Sequence, residues 1–98
     1  DTAALQIENL SAALDVYMLE NGQYPTTDQG LDALVEAPSG SNAWNGPYLR
    51  KNKVPADPWG NDYQYKSPGE YGDYDLLSYG ADNAPGGDKD ASDVTNWK

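Results

Sequence analysis

Cysteine, histidine and phenylalanine are all missing from this 98-residue sequence. Basic residues are few, six Lys and Arg against sixteen Asp and Glu, for a formal net charge of -10. Without cysteine no disulfide or thiolate metal site can form, and without histidine the imidazole base of serine hydrolases and the usual zinc ligand are lost. Serine hydrolase triads and zinc hydrolases are thereby excluded. The acidic excess repels a phosphate backbone, which argues against nucleic acid as a partner. No apolar run approaches the roughly 20 residues of a membrane span, so the chain as it stands is expected to be soluble. The cysteine count fits a reducing or an oxidising compartment equally well. A chain this short makes one domain, which buries only roughly two-thirds of the surface its unfolded form exposes, so the core is thin.

What is present begins with an amphipathic helix over residues 1–21. Ala3, Ile7, Leu10, Leu14 and Tyr17 recur at helical spacing, and Leu5, Ala12, Val16 and Leu19 widen the apolar arc enough to suggest a neighbour beyond the domain's own core. Asn21-Gly22 stops the helix, and Tyr24-Pro25 demands extended backbone. Little at its start beyond Asp1-Thr2 can cap it, which raises the expectation that it is the cut end of a longer helix. Thr26 and Gln29 have capping-box spacing, and with Leu31, Leu34 and Val35 they predict a second helix over 26–37, ended by Ala37-Pro38. A turn-rich surface loop around Trp44 follows.

The region 48–80 reads as sheet. Tyr48-Leu49-Arg50 is a short extended piece, and Asp57-Pro58-Trp59-Gly60 is a β-turn that launches a strand over 62–66. Ser67-Pro68-Gly69 turns the chain into a partner strand over 73–79. A helix followed by two or three antiparallel strands is an α+β arrangement.

Residues 80–98 form an acidic loop and the C-terminus. Asp82, Asp88, Asp90 and Asp93 fall within twelve residues, opposed only by Lys89. Calcium takes six to eight oxygen ligands, and a glycine-rich loop can supply them as carboxylates and carbonyls. An EF-hand is rejected: counting from Asp82, Ala84 and Gly86 stand where that loop needs carboxylates, and no helix follows. A repetitive calcium β-roll is rejected because the pattern occurs once. A solvated acidic terminus is the other reading. Against it, Val94 and Trp97 can dock and pin the loop at both ends, and four crowded carboxylates repel one another unless a cation offsets them.

Other chemistry is thinner. Asp73 and Asp75 have the types needed for acid and base in a glycosidase, but a chain this small offers no concave scaffold, so no enzyme is expected. Tyr63, Tyr65 and Tyr74 could stack on sugar, although strand positions of this kind are by default core. A free-standing calcium-dependent sugar-binding module therefore stays as the alternative. The charges are also segregated: Glu8, Asp15 and Glu20 lie on a helix without basic residues, and Arg50, Lys51 and Lys53 cluster. Either these are ordinary solvated charges, or the basic cluster of one subunit meets the acidic helix of the next in a head-to-tail filament, with Asp15, Glu20, Arg50 and Lys51 at the interface.

The order of motifs resembles a known family. YPTTDQGLDAL (24–34), GPYLRK (46–51), DPWGNDYQYKSPGEYGDYDLLSYGAD (57–82) and a closing TNW (95–97) are similar to the major pseudopilins, the G subunits, of bacterial type II secretion systems. The resemblance implies a type IV pilin-like fold, an N-terminal helix packed on a small three-stranded antiparallel sheet, with 1–98 as a single periplasmic domain. It implies a leader cleaved and the new N-terminus methylated by a prepilin peptidase, and an apolar helix upstream that anchors the subunit in the inner membrane. It also implies self-assembly into a helical pseudopilus with other pseudopilins and inner-membrane components, to assist export of folded proteins across the outer membrane. By the same resemblance the loop binds Ca2+ through Asp82, Asp90, Asp93 and the backbone carbonyl of Tyr79, with Asp88 in reserve.

Overall fold

The computed structural model describes residues 2–38, 40, 43–49, 53–81 and 94–96. Helix α1 spans Thr2–Asn21, a 3-10 helix spans Leu31–Leu34, and strands β1 (Gln64–Lys66), β2 (Asp75–Ser78) and β3 (Val94–Thr95) follow. The strands form one antiparallel sheet in the order β1-β2-β3, with Tyr65 opposite Leu76 and Ser78 opposite Val94. The α+β class and the helix-on-sheet packing agree with the sequence reading.

All five residues of the first apolar set on α1, Ala3, Ile7, Leu10, Leu14 and Tyr17, are buried, joined by Ala13. The second set faces outward: Leu5, Val16 and Leu19 are 57%, 44% and 77% exposed. The helix ends as the Asn-Gly pair dictates. Gly22 takes a φ of 85° that side chains resist, its N–H donates to Met18 O, and Asn21 Nδ2 donates to Tyr17 O.

The second helix departs from expectation. Both capping-box bonds form, Gln29 N–H to Thr26 Oγ1 at 3.1 Å and Thr26 N–H to Gln29 Oε1 at 2.9 Å. Gly30 then turns to a φ of 63° with ψ at -167°, which no α-helix continues, and the chain restarts as the 3-10 turn that buries Leu31, Ala33 and Leu34. The sheet differs as well. Its third strand is the pair Val94–Thr95 rather than a piece near Tyr48, so it runs beyond the 48–80 region. Tyr48 instead donates its N–H to Leu34 O.

Leu10, Leu14, Leu34 and Leu76 are the large side chains at the centre of the core, each at 0–1% exposure. Tyrosine does the work of the missing phenylalanine. Tyr17, Tyr63 and Tyr74 are buried, and Tyr24, Tyr48 and Tyr65 pack against them. The Tyr24 and Tyr74 rings lie 5.0 Å apart, Tyr17 and Tyr48 5.6 Å. Such rings give a thin core its apolar area, provided each hydroxyl finds a partner at the rim. Tyr65 donates to Pro25 O, Tyr63 to Gln6 Oε1, Tyr24 to Asp15 and Tyr48 to Glu20. Burial raises the pKa of Tyr24, Tyr63 and Tyr65 from 10.0 to about 12, and in Tyr24 the adjacent Asp15 carboxylate adds to it.

Candidate functional site

The acidic segment leaves the sheet after β2 and returns at β3. Ser78 pairs with Val94, and Asn96 locks the return: its Oδ1 accepts from Leu76 N, its N–H donates to Leu76 O, and its Nδ2 donates to Tyr74 O. Both ends are thus tied to neighbouring positions of one sheet, as the docking of Val94 predicts. Asp82, Asp88, Asp90 and Asp93 lie outside the described residues, and among the described residues no cluster of three or more acidic side chains forms. Tyr79, the expected carbonyl donor, is half-buried at the exit of β2. The donor chemistry fits calcium: four carboxylates, no sulfur and no imidazole, in a segment whose ends the sheet brings together.

Below that exit sits a residue whose role the sequence reading missed. In sequence Asp57 reads as a plain turn former, and the turn is there, with Gly60 N–H donating to Asp57 O at 2.9 Å. The residue is nonetheless buried, at 4% exposure. Oδ1 accepts from Trp59 N at 3.0 Å and Asn61 N at 2.8 Å, and Oδ2 accepts the Ser78 hydroxyl at 2.6 Å. Aspartate at the first turn position signals an Asx turn, but the bond to Ser78, 21 residues away, leaves no local trace.

Of the carboxylate pair weighed for catalysis, Asp75 is committed to structure. Asp75 is 5% exposed and spends its oxygens on the N–H groups of Glu70 (2.8 Å) and Tyr71 (3.2 Å), capping the turn into β2, while Asp73 is exposed. The sugar-stacking platform also dissolves, since Tyr63 and Tyr74 are 7% and 9% exposed and Tyr65 packs on the same core.

Of the candidate interface residues, Arg50 and Lys51 lie outside the described residues. Asp15 and Glu20 are exposed on α1, and each carboxylate accepts a tyrosine hydroxyl at 2.9 Å, from Tyr24 and Tyr48 respectively. Asp15 and Glu8 also border a groove of about 420 Å³ between α1 and β3, with Thr95 and Asn96 opposite. Among the described residues no helix is long and apolar enough to cross a membrane.

Comparison with known proteins agrees with this architecture. The family model for type II secretion system (T2SS) protein G matches residues 1–97. The type II secretion system core protein G of Vibrio cholerae serotype O1 is 48% identical over 98 residues, covering 97% of this chain and 66% of that protein. Its counterpart in Pseudomonas aeruginosa is 50% identical over 95 residues, covering 93% and 66%. The chain therefore spans about two-thirds of the length of these relatives. The crystal structure of the major pseudopilin from the type 2 secretion system of enterohaemorrhagic Escherichia coli superposes with a TM-score of 0.81 at 40% identity, over 97% of this chain and 79% of that one. With the motif order, the helix-on-sheet architecture and the match along nearly its whole length in agreement, the chain belongs to the type II secretion system protein G family.

Proposed function

We propose that this chain is the periplasmic domain of a structural subunit of a type II secretion pseudopilus. The subunit assembles with copies of itself and with other pseudopilins into a filament that assists export of folded proteins across the outer membrane. It is held in the inner membrane by an apolar helix upstream, whose new N-terminus is methylated once a leader has been cleaved from it. The family is one of structural pseudopilins, not of enzymes. The observation that carries the reading is the likeness, at a TM-score of 0.81 over 97% of this chain, to a solved major pseudopilin. Deleting the full-length gene in its host and restoring it tests the reading. Loss of secreted folded proteins on deletion, with recovery on restoration, supports it; secretion that continues undiminished refutes it.

The same reading gives the loop in residues 80–98 a calcium ion, bound by Asp82, Asp90, Asp93 and the carbonyl of the preceding Tyr79, with Asp88 in reserve. What supports it is the donor chemistry and the closure of the segment across Ser78 and Val94. Bound calcium would cross-link the terminus of a domain that has neither disulfides nor a thick core. An ion that binds only the folded state stabilises by mass action, so the melting temperature should rise with calcium concentration and fall with chelator. Asp82→Ala should abolish the difference. Identical melting curves in calcium and chelator would overturn this part of the proposal.

A further inference from the structure

We propose that Asp57 and Ser78 are positioning residues that aim the Tyr79 carbonyl at the calcium ion, an inference that rests on the calcium reading above. The chain of contacts is directional. An ionised carboxylate only accepts hydrogen bonds, so the single proton of the Ser78 hydroxyl is committed to Asp57 Oδ2 at 2.6 Å. The lone pairs of Ser78 Oγ are left to accept, and one takes the N–H of Gly80 at 3.1 Å. That N–H belongs to the planar peptide whose other end is the Tyr79 carbonyl, and in a trans peptide the two groups point in opposite directions. Holding the Gly80 N–H inward on Ser78 therefore turns the Tyr79 C=O outward, away from the core.

The anchor of this chain is stiff. Ser78 is 0% exposed, and the Asp57 carboxylate is held from its other oxygen by the N–H groups of Trp59 and Asn61. The Asp57 N–H donates to Asn61 O, closing the turn on itself. Gly80 takes a φ of 82°, a conformation that lets the chain reverse immediately after the bond to Ser78. The DPWG turn, remote in sequence from the acidic segment, thus sets the direction in which the chain enters it.

The test is titration with calcium chloride, followed by isothermal calorimetry, on the unmodified protein and on Ser78→Ala, with calcium-free melting curves recorded for both. Ser78→Ala should bind calcium about tenfold more weakly, the low end of the loss when an outer partner of a metal ligand is removed. A purely structural Ser78 would lower the calcium-free melting temperature and leave the affinity of the folded protein unchanged. Equal affinities overturn the positioning role while calcium binding stands. Absence of both heat and thermal shift in the unmodified protein overturns the calcium reading and this inference with it. Should Ser78→Ala not fold, amide exchange in the unmodified protein decides: exchange of the Gly80 N–H should slow when calcium is added, and an unchanged rate in protein that binds calcium refutes the proposal.

Discussion

The hydroxyl of Tyr48 donates to Glu20 Oε1 at 2.9 Å while accepting from Asn21 Nδ2 at 3.2 Å and Asn45 N at 3.0 Å. One phenol thereby joins the last turn of α1 to the loop that carries Trp44. The loop is held from the other side by Trp44 itself, whose Nε1–H donates to Ala33 O at 2.7 Å and whose ring meets Tyr48 edge-on at 5.7 Å. Tyr48→Phe keeps the ring contacts and removes the polar junction. It should lower stability by about 1 kcal/mol, the net worth of an ordinary intramolecular hydrogen bond. Urea unfolding of the two proteins measures it. No change in midpoint would show that water replaces the hydroxyl without loss.

Gly69 makes a closer approach than any side chain permits. A Cβ at that position would stand 2.5 Å from Asp75 Oδ1, 2.6 Å from the Tyr74 carbonyl carbon and 2.8 Å from Asp75 N. Two of these atoms are backbone and cannot rotate away. The third is the carboxylate that holds the N–H groups of Glu70 and Tyr71, so moving it breaks the turn into β2. Gly69→Ala should destabilise by about 1–3 kcal/mol, as overpacking does. Gly72→Ala, whose nearest atom is 4.0 Å away, is the control and should stay within about 0.5 kcal/mol. Equal denaturation midpoints for the two variants would contradict the geometry.

Tyrosine in place of phenylalanine makes the fold sensitive to alkali. Burial lifts Tyr24, Tyr63 and Tyr65 from 10.0 to about 12, with help from Asp15 at Tyr24 and from Asp57 at Tyr63. Burial also raises Tyr17 and Tyr74. Where the unfolded chain has lost protons that the folded state keeps, rising pH favours unfolding, so the tyrosine contribution is intact below pH 10 and is lost as pH rises through the folded pKa. Stability should therefore hold up to about pH 10 and fall between there and about pH 12. Tyrosinate absorbance should show a late-titrating group of tyrosines, released together on unfolding. A single transition near the ordinary tyrosine pKa would show that the rings are wet.

The parts of this fold that sequence reveals are those set by near neighbours. The buried face of α1 follows from the spacing of Ile7, Leu10, Leu14 and Tyr17, and its end from Asn21-Gly22, because each signal lies within a few residues of its effect. The capping pair Thr26 and Gln29 is equally local and forms as its spacing predicts, yet one glycine with positive φ diverts the chain from α-helix to a 3-10 turn. β3 escaped because two residues carry no alternation, and its pairing depends on Leu77 and Ser78 across the intervening acidic segment. Asp57 escaped for the same reason: its turn is local, but its burial is decided by Ser78. The acidic cluster is plain as composition, and its four aspartates lie outside the described residues.

In a head-to-tail pairing of the acidic helix with the basic cluster, both acidic partners already hold an internal hydrogen bond. Asp15 and Glu20 each accept a tyrosine hydroxyl of their own chain, from Tyr24 and Tyr48, while remaining exposed. A carboxylate has lone pairs for both partners, so the intramolecular bond orients the group rather than consuming it. Arg50→Glu or Lys51→Glu should weaken filament assembly of the full-length protein, and Glu20→Lys or Asp15→Lys should partly restore it by exchanging the signs across the contact. Tyr24→Phe and Tyr48→Phe serve as controls, because they free the carboxylates without altering charge and should leave assembly in place. Filament yield after shearing and sedimentation is the readout, with salt dependence as a second measure, since exposed ion pairs weaken as ionic strength rises. If the two reversals depress assembly independently, with no recovery in the double variant, these residues do not face one another in the filament.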